Sequence, residues 1–159
     1  MTQADFVPAP FLTVAVAADL PCLLPLVRAY HAFEGIELND TRRRATLAAL
    51  LADPTLGRVW LIESDRTVVG YVALTCGYSI EFGGRDGFVD ELFIVEAARG
   101  RGCGSAVLAQ VSTLAATLGI RALHLEVAHD NPRARRLYEH AGFVARDHFQ
   151  WMSMRLAAD

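Results

Sequence analysis

The sequence predicts a single α+β domain, a mixed and mostly antiparallel sheet of about six to seven strands flanked by about four helices. Three observations carry that expectation. The middle of the chain alternates short apolar runs with tight turns, the pattern of an antiparallel meander. A helical spacing of apolar residues follows, in Val107, Leu108, Val111, Leu114, Ala115 and Leu118. No repeat, low-complexity tract or linker divides the 159 residues, a length that suits one domain with a sizeable core.

Taken in order, residues 1–10 read as a flexible N-terminal tail of a domain spanning 1–159. Phe11 to Val16 is short and apolar, a first strand. Asp19 is placed to cap a helix from about Leu20 to Ala32, with Pro21 in its first turn and Pro25 as a weakness further in. After Glu34-Gly35, Asn39 and Asp40 offer caps for a second helix, Thr41 to Ala52, which Pro54 closes. Val59 to Glu63 and Val68 to Tyr78 read as strands joined around Ser64-Asp65-Arg66. The second strand continues through Phe82 to a two-residue Gly83-Gly84 hairpin, and the chain returns as Phe88 to Val95. A helix over Gly102 to Leu118 ends at Gly119, where a left-handed cap belongs. A strand from Ala122 to Val127 leads to a turn with Asp130 or Asn131 as cap, and a helix opens at Pro132 and runs to about His140. Phe143 to Ala145 and Phe149 to Leu156 are expected to complete the sheet.

Composition narrows the function. With 53% hydrophobic and 21% charged residues the chain is globular rather than disordered. Its formal charge of −3 offers no broad cationic field for nucleic acid or anionic lipid. Cys22, Cys76 and Cys103 are scattered and unpaired by any metal-binding spacing, so neither a zinc site nor a disulfide framework is expected. The N-terminus, Met1 to Pro10, has an acidic residue, two prolines and no basic stretch, which argues against a secretory signal, and no apolar run approaches the roughly 20 residues of a membrane span. A cytoplasmic protein is the expectation.

The stretch Arg99-Gly100-Arg101-Gly102-Cys103-Gly104-Ser105 lies between a strand and a long helix. The first backbone N–H groups of a helix lack intrahelical partners and carry partial positive charge, and glycines let an anion approach them. The chemistry fits a pyrophosphate cradle, with Arg99 and Arg101 adding charge. No Lys-Ser/Thr pair follows, which excludes a nucleoside-triphosphate P-loop. A dinucleotide fingerprint is a nearer rival, through Gly102-x-Gly104 and Glu126, but Val107 stands where its third glycine belongs.

The motif Arg99-x-x-Gly102-x-Gly104, preceded by Phe93-Ile94, resembles the acetyl-CoA signature of the GCN5-related N-acetyltransferase (GNAT) superfamily. So does Asn131-x-x-Ala134-x-x-x-Tyr138-x-x-x-Gly142-Phe143. Together they cover about Phe88 to Phe143 in the family's order, and the helices and meander before them fit as well. Glu96 departs from the pattern at a position where many members carry proline.

The resemblance implies an acetyl-CoA-dependent transferase that acetylates a primary amine by direct attack in a ternary complex, without a metal. It implies that the backbone of Leu92, Phe93 and Ile94 holds the pantetheine arm, that residues 100–105 wrap the pyrophosphate, and that Asn131 bonds the cofactor's arm. Tyr138 becomes the acid that protonates the departing thiolate, and its seven-residue separation from Asn131 independently places both on one helix face. Asp90 and Glu91 are the base candidates; strand alternation would send them to opposite faces, and water is a third option. Asp90 matches the position of the proposed base in polyamine-acetylating relatives. Tyr30, His31, Phe33 and Glu34, with Glu37 and Asp40, suggest an acidic, aromatic pocket for a small cationic amine, Tyr30 and Glu34 foremost. His124, His129, Cys103 and the Arg133, Arg135, Arg136 face read as structural or solvated. Relatives often dimerise through C-terminal strands, here about Phe149 to Leu156. An acyl-CoA-binding module without turnover is the alternative on the same fold.

Overall fold

A computed structural model describes residues 10–156. The expected tail, apart from Pro10, therefore lies outside the described residues. The strands are β1 (Phe11–Val14), β2 (Gly57–Ser64), β3 (Thr67–Ser79), β4 (Gly84–Ile94) and β5 (Ala122–His124). The helices are α1 (Leu20–Glu34), α2 (Asp40–Ala52), α3 (Cys103–Thr117) and α4 (Pro132–His140). The sheet runs β1-β2-β3-β4-β5 in space, antiparallel except for the β4–β5 pair, which is parallel.

Apolar residues on alternate sides of the strands build two cores. Toward α3, Trp60, Ile62, Val72, Leu74 and Val89 meet Val107, Val111 and Ala115. Toward α1 and α2, Val59, Leu61, Tyr71, Ala73 and Phe93 meet Leu23, Val27 and Leu47. Each fully buried aliphatic side chain in these clusters contributes about 1.5–3 kcal/mol relative to exposure, so the sheet is clamped from both faces along β2–β4.

Local signals act largely as the sequence indicates. Asn39 caps α2, its Oδ1 accepting from Arg42 N–H at 2.8 Å. Asn131 caps α4 in the same way through Ala134 N–H at 3.1 Å. Asp19 behaves differently: its carboxylate reaches back to Val16 N–H at 2.8 Å rather than forward into α1. The β3–β4 strand pairing closes at Ser79 opposite Gly84, so residues 80–83 form the loop and the strand does not continue to Phe82.

Among the described residues the sheet has five strands rather than six to seven. Residues 143–145 and 149–156 join no strand, and β5 stops at His124 instead of Val127. β5 is the edge strand and offers only three residues to pair with. An apolar extended segment becomes a strand only where a neighbour supplies backbone partners, and β5 pairs with β4 only over Asp86–Phe88. The C-terminal segment instead lies open, with Val144, Phe149, Trp151, Met152, Met154 and Leu156 exposed and the Trp151 ring resting 5.6 Å from that of Phe88.

Candidate active site

The cleft forms where β4 and β5 part. Their parallel pairing covers Asp86↔Ala122, Gly87↔Leu123 and Phe88↔His124, and ends there. From Val89 to Ile94, β4 has β3 on one side and the cleft on the other. Backbone N–H and C=O groups that a sheet would consume are thereby presented to a ligand. Leu92, Phe93 and Ile94, the expected holders of the pantetheine arm, all line this wall.

The floor is the start of α3. Gly102 caps the helix with φ +78°, a conformation that side chains rarely adopt, and a Cβ there would meet nothing within 4 Å. Ala106 N–H is bonded to Gly102 C=O, which leaves the N–H groups of Cys103, Gly104 and Ser105 at the open first turn. Gly104 has a second purpose: an added Cβ would stand 3.0 Å from Leu137 Cδ2, so its absence lets α4 close over α3. Gly100, Gly102, Cys103, Gly104 and Ser105 line the cleft, whereas Arg101 is exposed and stands outside that lining. Cys103 is buried, and burial raises its thiol pKa, opposite to what a reactive helix-terminal cysteine requires.

Arg99 lines the cleft as well, and its side chain is anchored within the fold. Its Nε donates to Ile94 C=O at 2.7 Å, and its guanidinium sits 5.6 Å from the Phe33 ring and 5.5 Å from the Phe93 ring. It ties the end of α1 to the end of β4. Arg133, which in sequence looked like part of a solvated face, is set apart from Arg135. Its guanidinium lies beside Gly100, 3.6 Å from where a Cβ would stand, while Arg135 pairs with Glu139 at 2.9 Å.

The far wall is α4, from which Asn131 and Tyr138 both face the cleft. Capping occupies Asn131 Oδ1 and leaves its amide N–H₂ available to an acceptor on a ligand. Tyr138 packs edge-on against Phe143, with ring centroids 6.1 Å apart. Burial first, then the charge of Glu34, pushes its hydroxyl pKa upward, so the phenol keeps its proton at neutral pH.

The two carboxylates on β4 correct the alternation argument. The register shifts between Ala73, opposite Glu91, and Leu74, opposite Val89, so Asp90 is the extra residue of a β-bulge. Val89 and Leu92 accordingly both join the α3-side core, and Asp90 and Glu91 no longer fall on opposite faces. Asp90 lines the cleft and keeps solvent exposure. Its pKa is raised, by burial within the cleft walls first, then by the charges of Glu91 and Glu126. Glu91 is held from beneath: His31 Nε2 lies 2.7 Å from its Oε1, and the Tyr71 hydroxyl donates to its Oε2 at 2.5 Å.

Tyr30, Phe33, Glu34 and Ile36, from α1 and the loop after it, also line the cleft. The Tyr30 hydroxyl pKa is raised, by burial and then by Glu34, Glu91, Tyr138 and Asp90, a list that shows how closely these groups converge. His31 is buried and Asp40 pairs with Arg28 and Arg43, so neither contributes to this pocket's surface. His124 lies 3.4 Å from Asp86 and packs edge-on against Phe82 at 4.9 Å, as a sheet histidine with partners. Sequence reasoning missed Tyr71 and Arg43. The signal for Arg43 was its helical position four residues before the core residue Leu47, an apolar slot filled by a cation. Among the described residues no three or more His, Cys, Asp or Glu side chains group as a metal site, and no helix is long and apolar enough to cross a membrane.

Comparison with known proteins accords with this geometry. The chain belongs to the Acetyltransferase (GNAT) family, whose pattern it matches over residues 24–143. It is 27% identical over 129 residues to the uncharacterized N-acetyltransferase YhfO of Bacillus subtilis (strain 168), covering 81% of this chain and 86% of that one. An integron cassette protein, HFX_CASS3, from the mobile metagenome of Cole Harbour Salt Marsh superposes with a TM-score of 0.81 at 35% identity, over 93% of this chain and 91% of its own. A predicted acetyltransferase of Clostridium acetobutylicum, solved with acetyl-CoA, has the same fold, with a TM-score of 0.74 at 20% identity over 91% of this chain and 96% of its own.

Proposed function

We propose that the protein is an N-acetyltransferase that moves an acetyl group from acetyl-CoA to a primary amine, the acceptor being a small cation. The observation that carries this reading is the parting of β4 from β5 in the same cleft that the open first turn of α3 lines. That arrangement supplies an unpaired strand edge for an amide-bearing arm and backbone N–H groups for a pyrophosphate, joined in one cleft. Arg133 stands where it adds a cation beside Gly100.

The chain's residues then divide the chemistry. The β4 edge orients the thioester and its N–H groups favour the oxyanion. Asp90, at the bulge, takes the proton from the ammonium group of the acceptor, and its raised proton affinity suits that task. The free amine attacks the carbonyl carbon directly; a C–N bond forms and the C–S bond breaks. Tyr138, protonated at neutral pH, gives its proton to the thiolate sulfur and is reprotonated by the proton that the nitrogen sheds as the amide forms. Tyr30, Glu34, Asp90 and Glu91 line the acceptor end with aromatic and acidic surface, which favours a cation. The exposed C-terminal segment, with Phe149, Trp151, Met152 and Met154, supports a homodimer formed there.

The test is initial-velocity kinetics with acetyl-CoA and a panel of polyamines, aminoglycosides and amino acids. Direct attack in a ternary complex gives intersecting lines. Parallel lines, the mark of an acetyl-enzyme, contradict it.

A further inference from the structure

Behind the bulge runs a chain of polar side chains that the acetyl-transfer reading leaves unused. Arg43 of α2 is buried, and each guanidinium nitrogen has an assigned partner. Its Nε donates to His31 Nδ1 at 3.2 Å, one terminal nitrogen donates to Leu38 C=O at 2.6 Å, and the other pairs with Asp40. A guanidinium only donates, so His31 Nδ1 must accept. The imidazole proton therefore sits on Nε2, which donates to Glu91 Oε1 at 2.7 Å. With the Tyr71 hydroxyl on Oε2, both Glu91 oxygens accept, the role of a carboxylate gripped from α1 and β3 together. Among the described residues, Asp90, one residue away, has no such donor.

We propose that His31, its tautomer selected by Arg43, is a positioning residue that fixes Glu91 as a stationary carboxylate and leaves neighbouring Asp90 as the group that takes the proton. The inference rests on the acetyl-transfer reading for its consequence, though not for its geometry. The charged and titratable groups that face the pair are Tyr30, His31 and Glu34 from α1, Tyr71 from β3, Glu126 beyond β5 and Tyr138 from α4. Among them, only His31 and Tyr71 are seen to donate to Glu91. Lysine in place of Arg43 would offer a point charge without the planar fork that reaches three acceptors in different directions.

Two readouts test the proposal. Nitrogen-15 spectra of the imidazoles need no substrate, so their outcome is independent of whether any amine is acetylated. His31 is expected in the Nε2–H form, and Arg43→Met is expected to release it to a mixture of tautomers. A His31 in the Nδ1–H form, or a spectrum indifferent to Arg43→Met, overturns the proposal. With an acetylated amine in hand, His31→Leu is expected to lower kcat about tenfold, the kinetic equivalent of one lost hydrogen bond to a charged group. His31→Gln, whose amide nitrogen can donate in place of Nε2, is expected to restore most of that loss. Glu91→Gln provides a measurement should His31→Leu fail to fold: the acid limb of kcat/KM moves to lower pH as Asp90 loses its charged neighbour. Equal damage from His31→Gln and His31→Leu contradicts the positioning role. So does a Glu91→Gln enzyme as inactive as Asp90→Asn with its acid limb unmoved, which would make Glu91 the base.

Discussion

Two adjacent carboxylates acquire different characters from their partners alone. Glu91 meets a donor at each oxygen, while Asp90 meets the charges of Glu91 and Glu126 within partly closed walls. A consequence for stability follows with a definite sign. Asp90 holds its proton more tightly in the fold than in the unfolded chain, so between the ordinary carboxylate pKa and its raised value the folded state binds more protons. Its contribution is fully present below the ordinary range, about pH 3.9, and is lost as pH rises through the raised value. Asp90→Asn should therefore raise Tm above wild type at neutral pH while removing activity, and the two melting curves should converge at about pH 3. Scanning calorimetry at both pH values checks this; a neutral-pH Tm for Asp90→Asn at or below wild type contradicts it. The sequence singles out Asp90, Glu91, Asn131 and Tyr138, and the structure gathers all four around one cleft. It does not reveal that Asp90 and Glu91 share a face, because a bulge depends on the register between strands and leaves no mark in alternation.

At the level of elements, the helices were the most legible. Asn39, Asn131 and Pro132 act locally, through hydrogen bonds and φ angles settled within one turn, and both capped helices begin where those residues place them. Strand ends were less legible, since pairing depends on distant partners. The β2–β3 turn shows a local rule being strained. Asp65 and Arg66 both adopt positive φ, 51° and 59°, between Ser64 and Thr67 in a turn that Asn-Gly fits better. The double substitution Asp65→Asn, Arg66→Gly should stabilise the fold by about 1 kcal/mol without touching the cleft. Denaturant melting would read this as a higher midpoint at unchanged slope; a lower midpoint would show that the native side chains hold the turn through contacts of their own.

Across the whole molecule, the proposed function rests on a fault in an otherwise continuous sheet. The two cores clamp β2 to β4, so the opening between β4 and β5 is held by packing on both faces rather than by the ligand. Glycines at the start of α3 keep its first turn bare, and Gly104 lets α4 lie close enough to bring Tyr138 to the opposite wall. The glycine-rich turn and the Asn131–Tyr138 spacing were visible in sequence because each depends on a few neighbouring residues. The fate of residues 143–156 was not, because apolar alternation specifies a strand only when a free edge meets it, and β5 is too short to provide one. The central claim is that this cleft catalyses acetyl transfer, with Tyr138 as the acid. Its most direct test is thiol release from acetyl-CoA by wild type and Tyr138→Phe across cationic amines, with acetyl-CoA affinity measured alongside. The account predicts release with at least one amine and a fall of about 10²–10⁴-fold in Tyr138→Phe with affinity retained. Wild-type silence with every amine, or a Tyr138→Phe enzyme as fast as wild type, would contradict it.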